Sequence, residues 1–182
     1  MTESAMGATT LLTFEDFERL PDSPGKRELL DGELIEIPPA KARHSKIRHR
    51  IYGKLDPLVR EQGLGDVYTV AGFKLGERHW VQPDVSRLVS TGQDQASDPE
   101  GYFDGAPRLA IEVISAAHTA ESVDRKIATY FEYGCEEVWV FYPKTRRTWV
   151  YRGNNPAAIE HKELLTSELF PGWKLNLAEV FA

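Results

Sequence analysis

The chain has 182 residues, 41% hydrophobic and 27% charged, with a formal net charge of -6 at pH 7. This length buries a core without disulfides, the single Cys135 excludes an internal disulfide, and no Cys/His cluster has zinc spacing. The apolar runs are too short to span a bilayer and the N-terminus lacks signal-peptide features, so we expect a cytoplasmic globular protein with no membrane partner.

The N-terminal part of the sequence predicts a tail, a short helix and a hairpin. Residues 1–10 have the composition of a flexible tail. A helix is predicted within residues 11–20, capped by Thr13 and with acids in its first turn. Between Glu28 and Ile37, two short apolar runs flank Asp31-Gly32, which is a strong signal for a two-residue hairpin turn.

A basic helix is predicted from residue 43 to 62, with Pro57 expected to kink or shorten it. Between residues 41 and 60 there are seven Lys and Arg residues against one Asp. Four of them form a stripe beside the apolar face: Arg43, Lys46, Arg50 and Lys54. In an acidic protein such a stripe is a candidate surface for nucleic-acid phosphates. A solvated helix face is the alternative interpretation.

The rest of the chain alternates strands with one long helix. The predicted strands are 67–75, 80–89, 108–114, 138–142, 148–152 and one near the C-terminus. A surface loop is predicted over 90–106, a helix over 120–133, and a short helix at the C-terminal end. This order predicts an α/β (α+β) fold with a mixed central sheet flanked by helices, forming a single domain over residues 11–182.

Two acidic residues lie at unusual places in the predicted strands. RLAIEVIS (108–115) is typical of a strand covered on both faces, and Glu112 is at its centre. An ionised carboxylate there needs a partner such as a cation, unless the strand is an edge where Glu112 reaches water. In VQPDV, Pro83 predicts a break in the sheet at Asp84, although Asp is also common in turns.

Together these acids predict a metal site. Asp84 and Glu112 are 28 residues apart in neighbouring predicted strands, and we expect their carboxylates to come together. Hard oxygen ligands of this kind suit Mg²⁺ or Mn²⁺.

Pro83-Asp84 followed by Glu112 in EVIS matches a known nuclease pattern. The matching segments run in order over about residues 11 to 181: ELLDGELIEI, His44, QPDV, LAIEVIS, Lys126 ahead of Tyr130 and Gly134, and EVWVFYP. On these segments the chain resembles the PD-(D/E)XK nuclease superfamily and, within it, the Uma-two family of restriction endonucleases. The resemblance implies a restriction-endonuclease-like fold and metal-dependent cleavage of DNA.

The resemblance also implies a ligand set and a catalytic lysine. Asp84 and Glu112 would bind the metal, and the carbonyl of Val113 could complete the ligand set. Ile114 occupies the usual position of the lysine, whereas in the Uma-two family the lysine has moved to the following helix, where Lys126 matches it. A long side chain there could reach back over the site; the alternative is a surface lysine on an amphipathic helix.

Two more residues match the family. Glu28 opens the hairpin and is either a third acid near the metal or a solvent-facing strand residue. His44 precedes the basic stripe and is expected to donate to a phosphate or assist proton transfer, or it is only a helix-start residue. The remaining histidines show no spacing that suggests a site.

Several neighbouring residues depart from the family pattern. Ala116-Ala117 replace the usual Pro-Ser, and Ser122 and Tyr142 each replace an Asp. The leading hypothesis is a Mg²⁺-dependent endonuclease acting on DNA, with a homodimer left open. The alternative is a catalytically weak or inactive nucleic-acid or protein interaction module of the same fold, which the acidic charge and the missing in-strand lysine favour.

Overall fold

The computed structural model describes residues 11–88, 101–116, 118–153 and 155–182. The predicted tail, residues 1–10, and most of the predicted loop 90–106 lie outside the described residues. Within the described ranges, no helix combines the length and the apolar character needed to cross a membrane.

The described chain contains helices and strands in mixed order. The helices are α1 (Phe14–Glu18), α2 (Ala42–Glu61), α3 (Ala120–Glu132) and α4 (Leu177–Phe181). The strands are β1 (Lys26–Leu30), β2 (Glu33–Ile37), β3 (Asp66–Thr69), β4 (Phe73–Gly76), β5 (His79–Val81), β6 (Val85–Leu88), β7 (Phe103–Asp104), β8 (Leu109–Val113), β9 (Glu137–Tyr142), β10 (Arg147–Arg152), β11 (Asn155–His161), β12 (Leu164–Leu165) and β13 (Leu175–Asn176).

The strands form mixed sheets, which confirms the predicted α+β class. One sheet has five strands in the order β2-β1-β5-β4-β7, another has six in the order β11-β10-β9-β8-β6-β3, and β12 pairs with β13. The pairs β4/β7 and β8/β9 are parallel, and the other described pairs are antiparallel.

The strongest local signals are confirmed. Thr13 forms a capping box with Asp16 at the start of α1. The β1–β2 hairpin turns at Asp31 and Gly32, whose φ angles of 53° and 81° suit a tight turn of the primed type. The basic helix spans 42–61 and continues through Pro57, so the expected shortening at the proline is wrong.

Two segments predicted as single strands each divide between the two large sheets. The segment 67–75 is β3 and β4, separated at Val70, whose φ of 56° lies in the left-handed region. The segment 80–89 is β5 and β6, and the break falls at the predicted Pro83-Asp84 position. Asp84 therefore lies where the chain passes from the five-stranded to the six-stranded sheet.

Strands β7, β11 and β12 are not among the predicted elements. β7 and β12 have two residues each, too few to produce a readable period. β11 contains Pro156, which argues against a central strand but is tolerated at the sheet edge where β11 lies.

The six-stranded sheet separates two apolar clusters. Leu109, Ile111 and Val113 belong to the cluster that contains the buried face of α2 and residues of α4. Ala110 belongs to the cluster that contains residues of α3. Since alternate strand residues share a face, Glu112 lies on the α3 side with Ala110, and the predicted burial of this strand on both faces is confirmed.

Candidate functional site

Asp84 and Glu112 come together at one end of the β6–β8 pair. Val85 pairs with Ile111, so Asp84, which directly precedes β6, lies beside Glu112, the residue that follows Ile111, and its charge raises the pKa of Glu112. The N–H of Val113 donates to Oδ2 of Asp84 at 2.8 Å. The expectation that these acids meet is confirmed.

Lys126 points its ammonium into this acidic cluster. Its Nζ lies 2.8 Å from Oε1 of Glu112 and 2.7 Å from Oε1 of Glu28. The capping box of Thr119 and Ser122 begins α3 shortly after β8, which brings Lys126 back over the end of that strand. The predicted orientation is confirmed, and Ser122, a departure from the family pattern, has a capping role.

Tyr130, which the sequence marked only as part of the family match, is a residue of the site. It lies one helical turn after Lys126, and its hydroxyl donates to Oε1 of Glu112 at 2.8 Å. Residues four apart share a helix face, and this spacing from Lys126 was the available signal. One face of α3 therefore supplies two donors to the same carboxylate oxygen.

One carboxylate oxygen of Glu28 contacts two lysine ammonium groups and a backbone amide. Its Oε1 accepts from the N–H of Gln82 at 2.9 Å and from Lys126. The ammonium of Lys26 lies 3.2 Å from the same oxygen. Glu28 is thus buried beside the predicted metal ligands, and the described contacts make it the residue that positions the two lysines.

Lys26 is a second cation at the site that the sequence interpretation missed. Its Nζ donates to the carbonyl of Gln82 at 2.7 Å, two residues before Asp84. Residues two apart in a strand share a face, so its spacing from Glu28 in β1 was the signal that could have identified it.

His44 contacts Asp84 from the start of α2. Its Nε2 lies 3.1 Å from Oδ2 of Asp84. Its Nδ1 is buried and has no hydrogen-bond partner among the described residues. His44 therefore orients Asp84 in this arrangement, and its expected contact with a phosphate stays a prediction.

His118 also lies within electrostatic reach of the site. The N–H of Ser115 donates to its Nδ1 at 3.1 Å. Burial lowers the pKa of His118, and the ammonium groups of Lys126 and Lys26 lower it further. No spacing in the sequence marked this residue.

Two of the carboxylates are held in the ionised form. Burial alone would raise the pKa of Glu28, but the charges of Lys126 and Lys26, with hydrogen bonds from Lys126 and from the N–H of Gln82, bring it down to about 2. Burial also opposes ionisation of Asp84, whose pKa nevertheless falls to about 2 through the hydrogen bond from His44 and the charge of Lys26.

Glu112 differs from these two acids. Burial raises its pKa, and the charges of Glu28 and Asp84 raise it further, against the opposing effect of Lys126 and Lys26. Burial would lower the pKa of Lys126, but the carboxylates of Glu112 and Glu28 raise it. An additional cation would therefore favour the ionised form of Glu112.

The donor set fits a hard divalent cation held largely by water. Mg²⁺ usually binds one or two carboxylates and keeps several waters, and among the described residues the hydrogen bonds to Asp84 and Glu112 use only Oδ2 and Oε1 respectively. No group of three or more His, Cys, Asp or Glu side chains in the described ranges could form an all-protein cage. The role of the Val113 carbonyl stays a prediction.

The basic stripe of α2 is only partly at this site. Arg43 donates to the carbonyl of Pro143 at 2.8 Å, and Lys46 is exposed. Arg50 donates to the carbonyls of Val180 and Ala182. Lys54 forms an ion pair with Glu179 on α4 at 2.6 Å.

The geometry of α2 explains this division. From His44, ten residues of helix extend about 15 Å to Lys54, so the later turns leave the site and pack beside α4. The stripe, predicted as one candidate surface for phosphates, therefore does not lie beside the site along its whole length: among the described contacts, only those of the first turn place it there.

Comparisons with known proteins agree with this fold. The sequence model of the Uma2 family, described as "Putative restriction endonuclease", matches residues 14–178. No curated protein matches the chain. A crystal structure from Anabaena variabilis ATCC 29413, described as "a putative nuclease belonging to DUF820", has a TM-score of 0.83 and 20% identity, covering 93% of this chain and 97% of that chain. At that identity the likeness confirms the fold, and because the family match extends over most of the sequence, the chain belongs to the Uma2 family.

Proposed function

We propose that this protein is a divalent-metal-dependent endonuclease that hydrolyses phosphodiester bonds in DNA. The observation that carries the proposal is the buried pair of Asp84, directly before β6, and Glu112 on the neighbouring strand β8, faced by lysine ammonium groups. The family description and that of the related crystal structure support a nuclease of this kind.

The proposed metal ligands are Asp84 and Glu112, with the carbonyl of Val113. A bound Mg²⁺ or Mn²⁺ supplies a Lewis acid for the phosphate oxygen and lowers the pKa of a coordinated water. His44 and the Val113 N–H keep Asp84 oriented and ionised for this role. Tyr130 and Lys126 orient Glu112.

The proposed reaction is hydrolysis at phosphorus. The oxygen of a water molecule forms a bond to phosphorus, the bond from phosphorus to one ester oxygen breaks, and that oxygen takes a proton. The proton lost by the water passes to solvent. A lysine ammonium in the site stabilises the negative charge that develops on the phosphate oxygens.

The basic stripe supplies the proposed DNA contacts. Arg43 and Lys46 begin α2 near the site and are exposed. Arg50 and Lys54 remain part of the proposal. To bind a phosphate, each side chain would have to give up its present contact with a residue of α4. Phosphate contacts of this kind position DNA without reading its sequence.

A homodimer is a further expectation, which gel filtration of the pure protein tests.

A non-cleaving interaction module is the second candidate. The observation that favours it is that Glu28, Asp84 and Glu112 are already faced by Lys26 and Lys126. Internal pairing of this kind reduces the attraction for an added cation. Such a protein would bind DNA without hydrolysing it.

The test is incubation of the pure protein with supercoiled plasmid, linear duplex and single-stranded DNA in Mg²⁺, Mn²⁺ or chelator. Asp84→Asn removes a proposed ligand, and Asp56→Asn is the matched control because its carboxylate pairs with Arg60 on α2. We expect cleavage by the parent and the control only with metal. Binding without cleavage would support the interaction module, and neither activity would contradict both.

A further inference from the structure

We infer that Lys26, and not Lys126, is the lysine that contacts the phosphate of the nucleic acid. Lys126 is instead the internal counter-ion that holds Glu28 and Glu112 in place. This assignment rests on the proposed function and identifies which of the two lysines meets the substrate.

Lys126 is occupied by carboxylates. Both of its short contacts, 2.7 Å to Glu28 and 2.8 Å to Glu112, are with buried acids. Its ammonium also lies 5.9 Å from the centre of the Tyr130 ring. Turning Lys126 toward a substrate would leave two buried carboxylates without their shared cation, which is strongly unfavourable.

Lys26 is placed differently. Its shorter contact, 2.7 Å, is with the neutral carbonyl of Gln82, and its distance to Glu28 is the longer 3.2 Å. Its side chain is 16% exposed, against 7% for Lys126. Lys26 is therefore the lysine on the solvent side of the cluster, and it can exchange a neutral acceptor for an anionic phosphate oxygen, which binds an ammonium more strongly.

Lys26 also stands beside both proposed metal ligands. Its charge lowers the pKa of Asp84 and of Glu112. The carbonyl that it binds belongs to Gln82, which Pro83 alone separates from Asp84. A phosphate that meets a cation held by Asp84 and Glu112 would therefore lie within reach of this ammonium.

The first experiment measures how DNA binding depends on salt. Duplex binding by Lys26→Met, Lys126→Met and Lys174→Met is followed from low to high NaCl in chelator. Each lost phosphate contact reduces the slope of log affinity against log salt by about one. We expect this reduction for Lys26→Met, and an unchanged slope with a lower Tm for Lys126→Met.

The matched control for charge is Lys174, which is exposed and precedes β13. Its substitution removes the same charge from the whole protein and should leave the slope unchanged. If Lys26→Met does not fold, Lys26→Gln replaces it, and if Lys126→Met does not fold, Lys126→Arg keeps the charge. An unchanged slope for the folded Lys26 variant overturns the inference.

The second experiment restores the charge chemically. Lys26→Cys is treated with 2-bromoethylamine, which converts the thiol into a lysine analogue. The native Cys135 is buried, and burial raises the pKa of its thiol to about 12, so it should not react. We expect Lys26→Cys to cut supercoiled plasmid about 100-fold more slowly than the parent and alkylation to restore most of the rate.

The two proposals fail in different ways. If the parent neither cuts nor binds DNA, the proposed function is wrong, and this inference is overturned with it. If the parent cuts DNA and Lys26→Cys cuts equally well before alkylation, the endonuclease assignment survives and the assignment of Lys26 is wrong. A reduced slope together with rescue by alkylation supports both.

Discussion

Two glutamates on adjacent parallel strands are buried to a similar degree but have different surroundings. Glu112 on β8 is 4% exposed and Glu137 on β9 is 2% exposed. Glu137 is the first residue of its strand, whereas Glu112 is near the end of its own. The two therefore lie toward opposite ends of this parallel pair of strands.

Both oxygens of Glu137 are satisfied. Oε1 accepts from Nε of Arg152 at 3.2 Å and from the N–H of Glu168 at 3.3 Å. Oε2 accepts from Nε1 of Trp139 at 2.8 Å and from the hydroxyl of Ser167 at 2.7 Å. This carboxylate joins β9 and β10 to the segment that follows β12, which is a structural role.

Glu112 has donors on one oxygen and like charges beside it. Lys126 and Tyr130 both approach Oε1, while Glu28 and Asp84 raise its pKa. Burial of a carboxylate is therefore not itself a sign of function. The informative feature is a buried carboxylate that shares its site with other acids and keeps an oxygen without a described donor.

The largest expected effect comes from Glu112→Ala. Cleavage of supercoiled plasmid in Mg²⁺ should fall at least about 100-fold, because loss even of a group that only supports a metal ligand costs about 10- to 100-fold. The Tm in chelator should hold or rise slightly, since the repulsion among three carboxylates is relieved. If the Tm of Glu112→Ala were several degrees below that of the parent, Glu112 would have a structural role like that of Glu137.

Glu137→Ala should show the reverse pattern. Removing one partner of a buried ion pair costs about 3–5 kcal/mol, which lowers the Tm of a protein of this size by about ten degrees. Cleavage measured well below the Tm should stay near the parent rate. Glu136→Gln, which alters a half-exposed neighbour paired with Arg108, is the control and should melt close to the parent.

Glu28→Gln tests the lysine cluster through its pH dependence. The pKa of Glu28 falls from 4.5 to about 2 on folding, so its ionised form stabilises the protein fully above about pH 4.5, and this stability is lost as the pH falls toward 2. At pH 7 the free energy of unfolding of the parent should exceed that of the variant by a few kcal/mol. This difference should shrink below pH 4.5. Urea unfolding at pH 7, 5 and 3.5 measures this, and a constant difference would contradict it.

Tyr130→Phe should have the smallest effect. It removes one hydrogen bond to Glu112, worth about 1 kcal/mol, and should raise the Mg²⁺ concentration needed for half-maximal cleavage about tenfold. The matched control is Tyr133→Phe, whose hydroxyl contacts His79 outside the site. Equal metal requirements for the two variants would show that Tyr130 does not support Glu112.

The accuracy of the sequence predictions follows the range of the interactions involved. The capping box at Thr13 and the turn at Asp31-Gly32 depend on neighbours within a few residues, and both were predicted correctly. The strand prediction over 67–75 was wrong in continuity, since a change of sheet does not alter the apolar pattern on which it rested. The break within 80–89 was predicted from Pro83, which removes a ladder donor, and the structure confirms it.

By itself the sequence determined the helices, the hairpin turn, the buried run around Glu112 and the break at Pro83-Asp84, because these features depend on residues close together in the chain. Only the tertiary structure decided which donor meets which oxygen. Glu28 meets Gln82 and Lys126 across separations of 54 and 98 residues, and no local period encodes contacts over such distances. The partnership of Lys26 with this site depends on β1, the β5–β6 break and α3 meeting at one point, because side-chain pairing there is set by packing between elements.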